Sequence, residues 1–468
     1  MTFSSSGEVF GWLEKFINLE RGQRPKSFRI DRMQFLCALT GNPEKCAPSI
    51  HVAGSKGKGS VTGMLTAMLT AAGFRTARYM SPHVVDIRER LCLGNSYFSE
   101  KIYCDAGKEL LETVNKLQCT MRDANAAYQA ALFDPEKPDG CEPTYWEMLT
   151  LFFFLCARKA KCDVIAAETG MGGRLDSTNI LDPLVSVITL IELEHTGFLG
   201  STIKAIAAEK AGIIKPGKPL VLAKQCDEAL EVFKHTAKEK NSRLIYLPDV
   251  ANLSDIKIKP DATIFTLNLP AAAPLKEIKI SIPGKVQAEN AALAITALTA
   301  TFPQINEASI RKGLEDCRLP ARFEKIASEP PFIIDGAHTP ESLELCIETF
   351  CSLYGLTAQG GILIFGCAAD KDAAAMARTV CTAACKTGGH TRPYFTKIFI
   401  TTPGTFKQSN PSAVYEIFAR EAGQEKVTLI ADTEKAVRQA VEFAKENNLP
   451  ILGTGSFYLV SEIRRILL

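Results

Sequence analysis

Short apolar runs that recur between amphipathic helical patterns constrain this chain more than any other feature. "SIHVAG" near residue 50, "DVIAAET" near 164, "LVSVITLI" near 185, "PLVLAK" near 220 and "RLIYL" near 244 are too short to be helices and too evenly apolar to be one-faced strands. Runs of that kind, alternating with helices, read as strands of a parallel sheet covered on both faces, since the crossover between parallel neighbours is itself a helix. The same order restarts after residue 320 with "PFIIDGAH", "GILIFG", "KIFITTP", "VTLIAD" and "PILGTGS". The expected fold is therefore α/β in two units, the second a Rossmann-like doubly wound domain. The helix "NEASIRKGLEDC" and Pro320 separate them, so the expected domains are 1–317 and 318–468, with a hinge near the proline.

Composition narrows the function. Lys plus Arg number 54 against 52 Asp plus Glu, leaving a net charge of +2, so no global field draws in nucleic acid or an acidic membrane. Neither is expected as a partner, and any anion site must be local. Fifteen cysteines without a Cys-x-x-Cys pair, and an N-terminus "MTFSSSGEVFGWLEKF" with neither a basic start nor a long apolar run, fit a reduced cytoplasm. "LTLFFFLCA" is too short to span a bilayer and reads as a buried helix. Cys381 and Cys385 on an Ala-rich helix read as packing rather than metal ligands, and the turn-rich stretches around 135 and 390 as surface insertions.

The strongest chemical signal is "HVAGSKGKGSVTGML". A strand ends at Val52, and Gly54, Gly57 and Gly59 allow a backbone that turns successive N–H groups inward. Lys58 adds a charge, and a helix beginning near Ser60 adds the positive end of its dipole. That combination cradles a nucleotide phosphate. Its spacing departs from G-x-x-x-x-G-K-[ST], so a ligand-free glycine turn is the competing reading.

Further candidates stand where apolar runs end, the edge at which open α/β sheets bind ligands. Glu168 in "AAETGMGGRLDSTNI" is either a Mg²⁺ ligand or a solvated strand-end acid. His195 in "VITLIELEHTGFLG" ends another run and is either a packed histidine or a metal ligand. Lys210, beside Glu209 in "IAAEKAGIIKPG", reads locally as half of a solvated charge pair. Asp335 and His338 in "FIIDGAHTPESL" lie at a strand-to-helix turn, positioned to face a ligand or to cap the helix.

Taken together and in order, these motifs resemble the folylpolyglutamate synthase and dihydrofolate synthase family of Mur-type ATP-dependent amide ligases, over nearly the whole chain. The resemblance implies a P-loop, Mur-ligase-type ATPase domain followed by the Rossmann-like one. "HVAGSKGKGS" is similar to the family's phosphate loop, with Lys56 where asparagine is usual. "MSPHVVDIRERL" resembles the Ser-Pro-His loop, implying that Ser81 helps to hold Mg²⁺ and that Ser81, Pro82 and His83 reach the folate or pteroate site. "PTYWEMLT" is similar to the aromatic helix start, implying Tyr145 as a substrate contact, although Tyr145 and Trp146 read equally well as core. The resemblance carries metal binding to Glu168 and His195, with Glu194 in place of an aspartate. It makes Lys210 the lysine often carbamylated to support a second metal. Gln287 and Asn290 in "GKVQAENAALA" fall on the adenine side, with Val286 where histidine is common. Arg322 in "ARFE" falls on the nucleotide phosphates, and Asp335 and His338 in "DGAHTP" join it with Thr339 replacing asparagine.

The activity so implied is addition of L-glutamate to dihydropteroate, to the glutamate tail of reduced folates, or to both, through an acyl phosphate. ATP and Mg²⁺ are the implied cofactors, with up to two ions and K⁺ also expected; L-glutamate and the pterin acceptor are the implied partners, and a monomer the default assembly. The alternative is an ATP-binding relative without ligase activity.

Overall fold

The structure, a computed structural model, describes residues 2–21, 28–122, 143–270, 273–355, 360–382, 394–404 and 407–468. The turn-rich stretches around 135 and 390 lie almost wholly outside these residues, as does Cys385.

All five apolar runs of the first half are strands. They are β1 (Ser49–Ala53), β5 (Val164–Glu168), β6 (Val185–Ile188), β7 (Leu220–Leu222) and β8 (Leu244–Tyr246), joined by β2 (Thr76–Tyr79), β3 (Leu91–Leu93) and β4 (Ser96–Tyr97) in the order β4-β3-β2-β5-β1-β6-β7-β8. From β2 to β8 every pairing is parallel, and β3 and β4 add an antiparallel edge. Neighbouring residues of one strand point to opposite faces, and both faces are covered: Ile165 and Ala167 enter one core with the helix Tyr145–Lys159, while Val164 enters another with the helices Lys58–Ala71 and Lys285–Thr301. Tyr145–Lys159 is the expected buried helix, started by a capping box in which Thr144 Oγ1 accepts from Glu147 N–H and Glu147 accepts from Thr144 N–H. Among the described residues no helix is long and apolar enough to cross a membrane.

A three-stranded antiparallel sheet, β9 (Asn252–Lys259), β10 (Ala262–Asn268) and β11 (Leu275–Ile280), follows β8 and buries Phe265, Leu267, Ile278 and Ile280 against the helix Lys285–Thr301. In the second half β12 (Glu324–Ser328), β13 (Pro331–Ile334), β14 (Gly361–Phe365), β15 (Phe395–Ile400), β16 (Val427–Leu429) and β17 (Ile451–Thr454) form a sheet in the order β12-β13-β17-β14-β15-β16. Its five apolar runs pair in parallel, and β12 pairs antiparallel to β13. The halves touch through Val84, which is buried in the core of the second, and through Ser461 Oγ, which donates to Val84 O.

Candidate active site

The turn after β1 is built for close approach. Gly54 has φ +147°, and a Cβ there would fall 1.8 Å from Thr189 Oγ1; Gly57 has φ +87°, and its Cβ would fall 2.6 Å from Asn290 Oδ1. Handedness and space both require glycine. The helix begins at Lys58, two residues before the expected Ser60, because left-handed Gly57 serves as its N-cap. No side chain caps that end, so its first N–H groups face outward with the helix dipole behind them. Ser55 and Lys56 N–H donate to Leu190 O at 2.8 and 3.2 Å, pinning the loop to the segment beyond β6.

Charge is concentrated here. Lys58 Nζ donates to Gly54 O at 2.9 Å, and Lys210 Nζ donates to the same carbonyl at 2.6 Å and to Glu194 Oε1 at 2.7 Å. This corrects the local reading of Lys210 as a solvated partner of Glu209: its side chain is 1% exposed, and Glu209 pairs with Arg174 instead. Burial lowers the Lys210 pKa to about 8, helped by Lys58 and opposed by Glu194. Burial opposes ionisation of Glu194, but Lys58 and Lys210 outweigh it and bring that pKa to about 2.

Glu168 is the last residue of β5, in register with Val52 of β1, and is buried rather than solvated. Its Oε2 accepts from Ser81 N–H at 3.2 Å. Burial raises its pKa to about 7 against the pull of Lys58, the Ser81 N–H and Arg322. A Cβ on Gly59 would lie 3.4 Å from Glu168 Oε2 and 3.8 Å from Arg322 Nη2, so loop, strand-end acid and second-half guanidinium meet at one point. Ser60 is buried at the same helix start.

His195 is not at a strand end, since β6 stops at Ile188; it is the left-handed N-cap, φ +47°, of the short helix Thr196–Leu199. The residue is exposed, yet protein close to its ring lowers its pKa to about 4, against the pull of Glu194 and with Lys58, Lys371 and Lys210 adding to the effect. In the second half the Arg322 guanidinium lies 4.5 Å over the Phe457 ring. Asp335 follows β13 and accepts from Phe323 and Ala337 N–H, both at 2.8 Å, while His338 Nδ1 bonds Gly336 O at 2.8 Å. The cap of the helix Pro340–Tyr354 is Thr339 rather than either of them.

The Ser81-Pro82-His83 loop adjoins this point. His83 Nδ1 accepts from Arg90 Nε at 2.8 Å, and Arg90 bonds Glu20 and lies 4.9 Å over the Trp146 ring. Tyr145 is buried in the first core, so the partly buried aromatic on the His83 side is Trp146. Gln287 and Asn290 are buried beside the loop and bonded to each other at 3.3 Å. Sequence reading missed Thr189, Glu192 and Asp176; Asp176 Oδ2 accepts from Gly170 and Met171 N–H, and its place before the Ser177–Ile180 turn is a capping signal.

Among the described residues no three His, Cys, Asp or Glu side chains gather into a metal cage. The donors present still suit Mg²⁺, which takes one or two protein oxygens and completes its shell with phosphates and water. Glu168 offers a buried carboxylate whose charge lacks a close ion pair, and Ser81, whose backbone N–H it accepts, carries a hydroxyl.

Two family models match: the Mur ligase middle domain over residues 125–298, and the Mur ligase glutamate ligase domain over residues 321–457. The dihydrofolate synthase/folylpolyglutamate synthase of Bacillus subtilis (strain 168) is 30% identical over 468 residues, covering 99% of each chain. The crystal structure of folylpolyglutamate synthase from Thermotoga maritima superposes with a TM-score of 0.79 at 26% identity, covering 99% of this chain and 96% of that one. An FPGS–AMPPCP–folate complex gives 0.79 at 27%, covering 99% and 100%.

Proposed function

The chain belongs to the folylpolyglutamate synthase and dihydrofolate synthase family of Mur-type ligases, and on that premise we propose that its two halves close one site for ATP-dependent glutamate ligation. The acceptor is dihydropteroate, the glutamate tail of a reduced folate, or both. The observation that carries the reading is the meeting of Gly59, Glu168, Ser81 and Arg322 beside Lys58.

A carboxylate and an amine do not condense unaided in water. ATP transfers its γ-phosphoryl group to an oxygen of the acceptor carboxylate, giving ADP and an acyl phosphate. The glutamate amine then attacks the carbonyl carbon; the C–N bond forms, the C–O bond to phosphate breaks, and phosphate leaves while the nitrogen loses its proton. Lys58 and the N–H groups at the start of its helix offset the charge that builds on the γ-phosphoryl group. Asn290 and Gln287 back the loop on the adenine side. Arg322 reaches the phosphates from the second half, while Asp335 and His338 fix the backbone that presents it, and closure keeps water from the acyl phosphate. Ser81, Glu168 and His195 would hold Mg²⁺, which supplies further charge neutralisation when bound.

Lys210, its amine pKa lowered to about 8, is the residue we propose for carbamylation in support of a second ion; among the described residues no donor set is assigned to K⁺. Pro82 and His83 face the acceptor. We further propose the division at 317/318, a monomer because one chain supplies both walls of the cleft, and a cytoplasmic setting in which buried thiols such as Cys156 stay reduced.

Mass spectrometry of products formed with MgATP, L-glutamate and either dihydropteroate or tetrahydrofolate tests the reading. A glutamyl mass increment on one or both acceptors is expected, and ATP binding with no increment on either would refute it.

A further inference from the structure

Three lysines of the first half stand at the phosphate loop, and two are committed: Lys58 to Gly54 O and Ser55 O, Lys210 to Gly54 O and Glu194. Lys56 is not. Among the described residues its ammonium makes no hydrogen bond or ion pair, while its backbone is held by Leu190 O. Its charge is felt in both halves: Glu194 and then Glu192 are the charges that most favour it, and after burial Lys56 is the largest influence keeping the His338 imidazole neutral. The residue is half-buried, so its charge is partly withdrawn from bulk solvent.

Glu192 is its counterpart. Ser55 Oγ donates to Glu192 O at 3.0 Å, which brings residue 192 to the same side of the loop. Glu192 Oε2 is buried and without a hydrogen-bond partner, a costly state for a carboxylate oxygen. Lys56 is the charge that most favours its ionised form, yet the two do not close to an ion pair within 4.0 Å. Lys371 and Glu341 of the second half face the same charges, each repelling its like. Other polar groups of the cleft are already engaged: Glu194 with Lys210, Asp335 with two backbone N–H groups, His338 with Gly336 O.

A cation and an anion held apart, each unsatisfied, complement an amino-acid zwitterion. We propose that Lys56 and Glu192 receive the incoming amino acid, Lys56 taking a carboxylate of L-glutamate and Glu192 its α-ammonium. This rests on the ligase reading and extends it to a substrate that reading did not place. The site lies one residue from the glycine that starts the phosphate helix, so the amine is delivered next to the carboxylate being phosphorylated.

Steady-state kinetics on the full chain test this, with saturating MgATP and acceptor. Lys56→Met and Glu192→Gln should each raise KM for L-glutamate about 10- to 100-fold, the loss of one charge-assisted hydrogen bond, with KM for ATP changed less than about twofold. Lys56→Arg, which keeps the charge and protects against a folding artefact, should hold the glutamate KM within about threefold. Comparing L-glutamine and the α-amide of L-glutamate with L-glutamate identifies the carboxylate: the unaltered protein should discriminate against one amide, and Lys56→Met should lose that discrimination. An unchanged glutamate KM in both charge-removing variants, or a rise confined to ATP, would overturn the proposal while leaving the ligase reading intact. No glutamate-dependent product from the unaltered protein would overturn both.

Discussion

The turn after β1 and the turn after β13 use the same strand-to-helix grammar to opposite ends. In the first, Gly57 caps the helix with no side chain, and the backbone donors at its start are left to whatever anion arrives. In the second, Thr339 and Ser342 close a capping box and Asp335 consumes two more N–H groups. One turn is an open cradle whose function lies in its backbone; the other is a self-satisfied bracket whose function lies in the side chains it steadies, Arg322 above all. A parallel sheet offers both at its carboxyl edge, and the cap residue decides between them.

That contrast can be broken most severely at the cradle. Lys58→Ala should cut kcat about 100- to 1000-fold with the fold intact, measured by phosphate release beside circular dichroism. Glu168→Gln should also abolish Mg²⁺-dependent turnover, and it carries a pH signature in the metal-free protein. The folded-state pKa of about 7 exceeds the ordinary 4.5, so the unfolded chain ionises first and stability falls as pH rises through that interval. The variant escapes this loss, so its advantage over the parent should be nil at pH 4 and reach up to about 3 kcal/mol at pH 8 in denaturant titrations. Gly54→Ala should cost about 1–3 kcal/mol through the clash with Thr189 and weaken ATP binding in calorimetry. At the bracket, Thr339→Ala should cost about 1 kcal/mol and leave kcat within about threefold. A larger catalytic loss at Thr339 than at Lys58 would reverse the comparison.

Sequence reading recovered the parts of the fold that are buried on both faces, because uninterrupted apolar runs have one stable use. It missed β9 to β11; in β9 the exposed Asp255, Lys257 and Lys259 alternate with partly buried apolar residues, and the period-two pattern in "SDIKIK" was the available signal. In the site, the glycines and Lys58 were legible because their chemistry is local. Lys210 was not: its partner Glu194 is 16 residues away and the Gly54 carbonyl 156 away, and the adjacent Glu209 gave a misleading local pair. Glu192 carried no signal at all, since a glutamate in an irregular segment looks solvated until the fold buries one of its oxygens.

The measurement closest to the central claim follows oxygen. With the acceptor carboxylate labelled with ¹⁸O and the reaction run in unlabelled water with MgATP and L-glutamate, activation through an acyl phosphate requires one labelled oxygen in each phosphate released. Phosphate free of label, alongside a glutamyl product, would contradict the account.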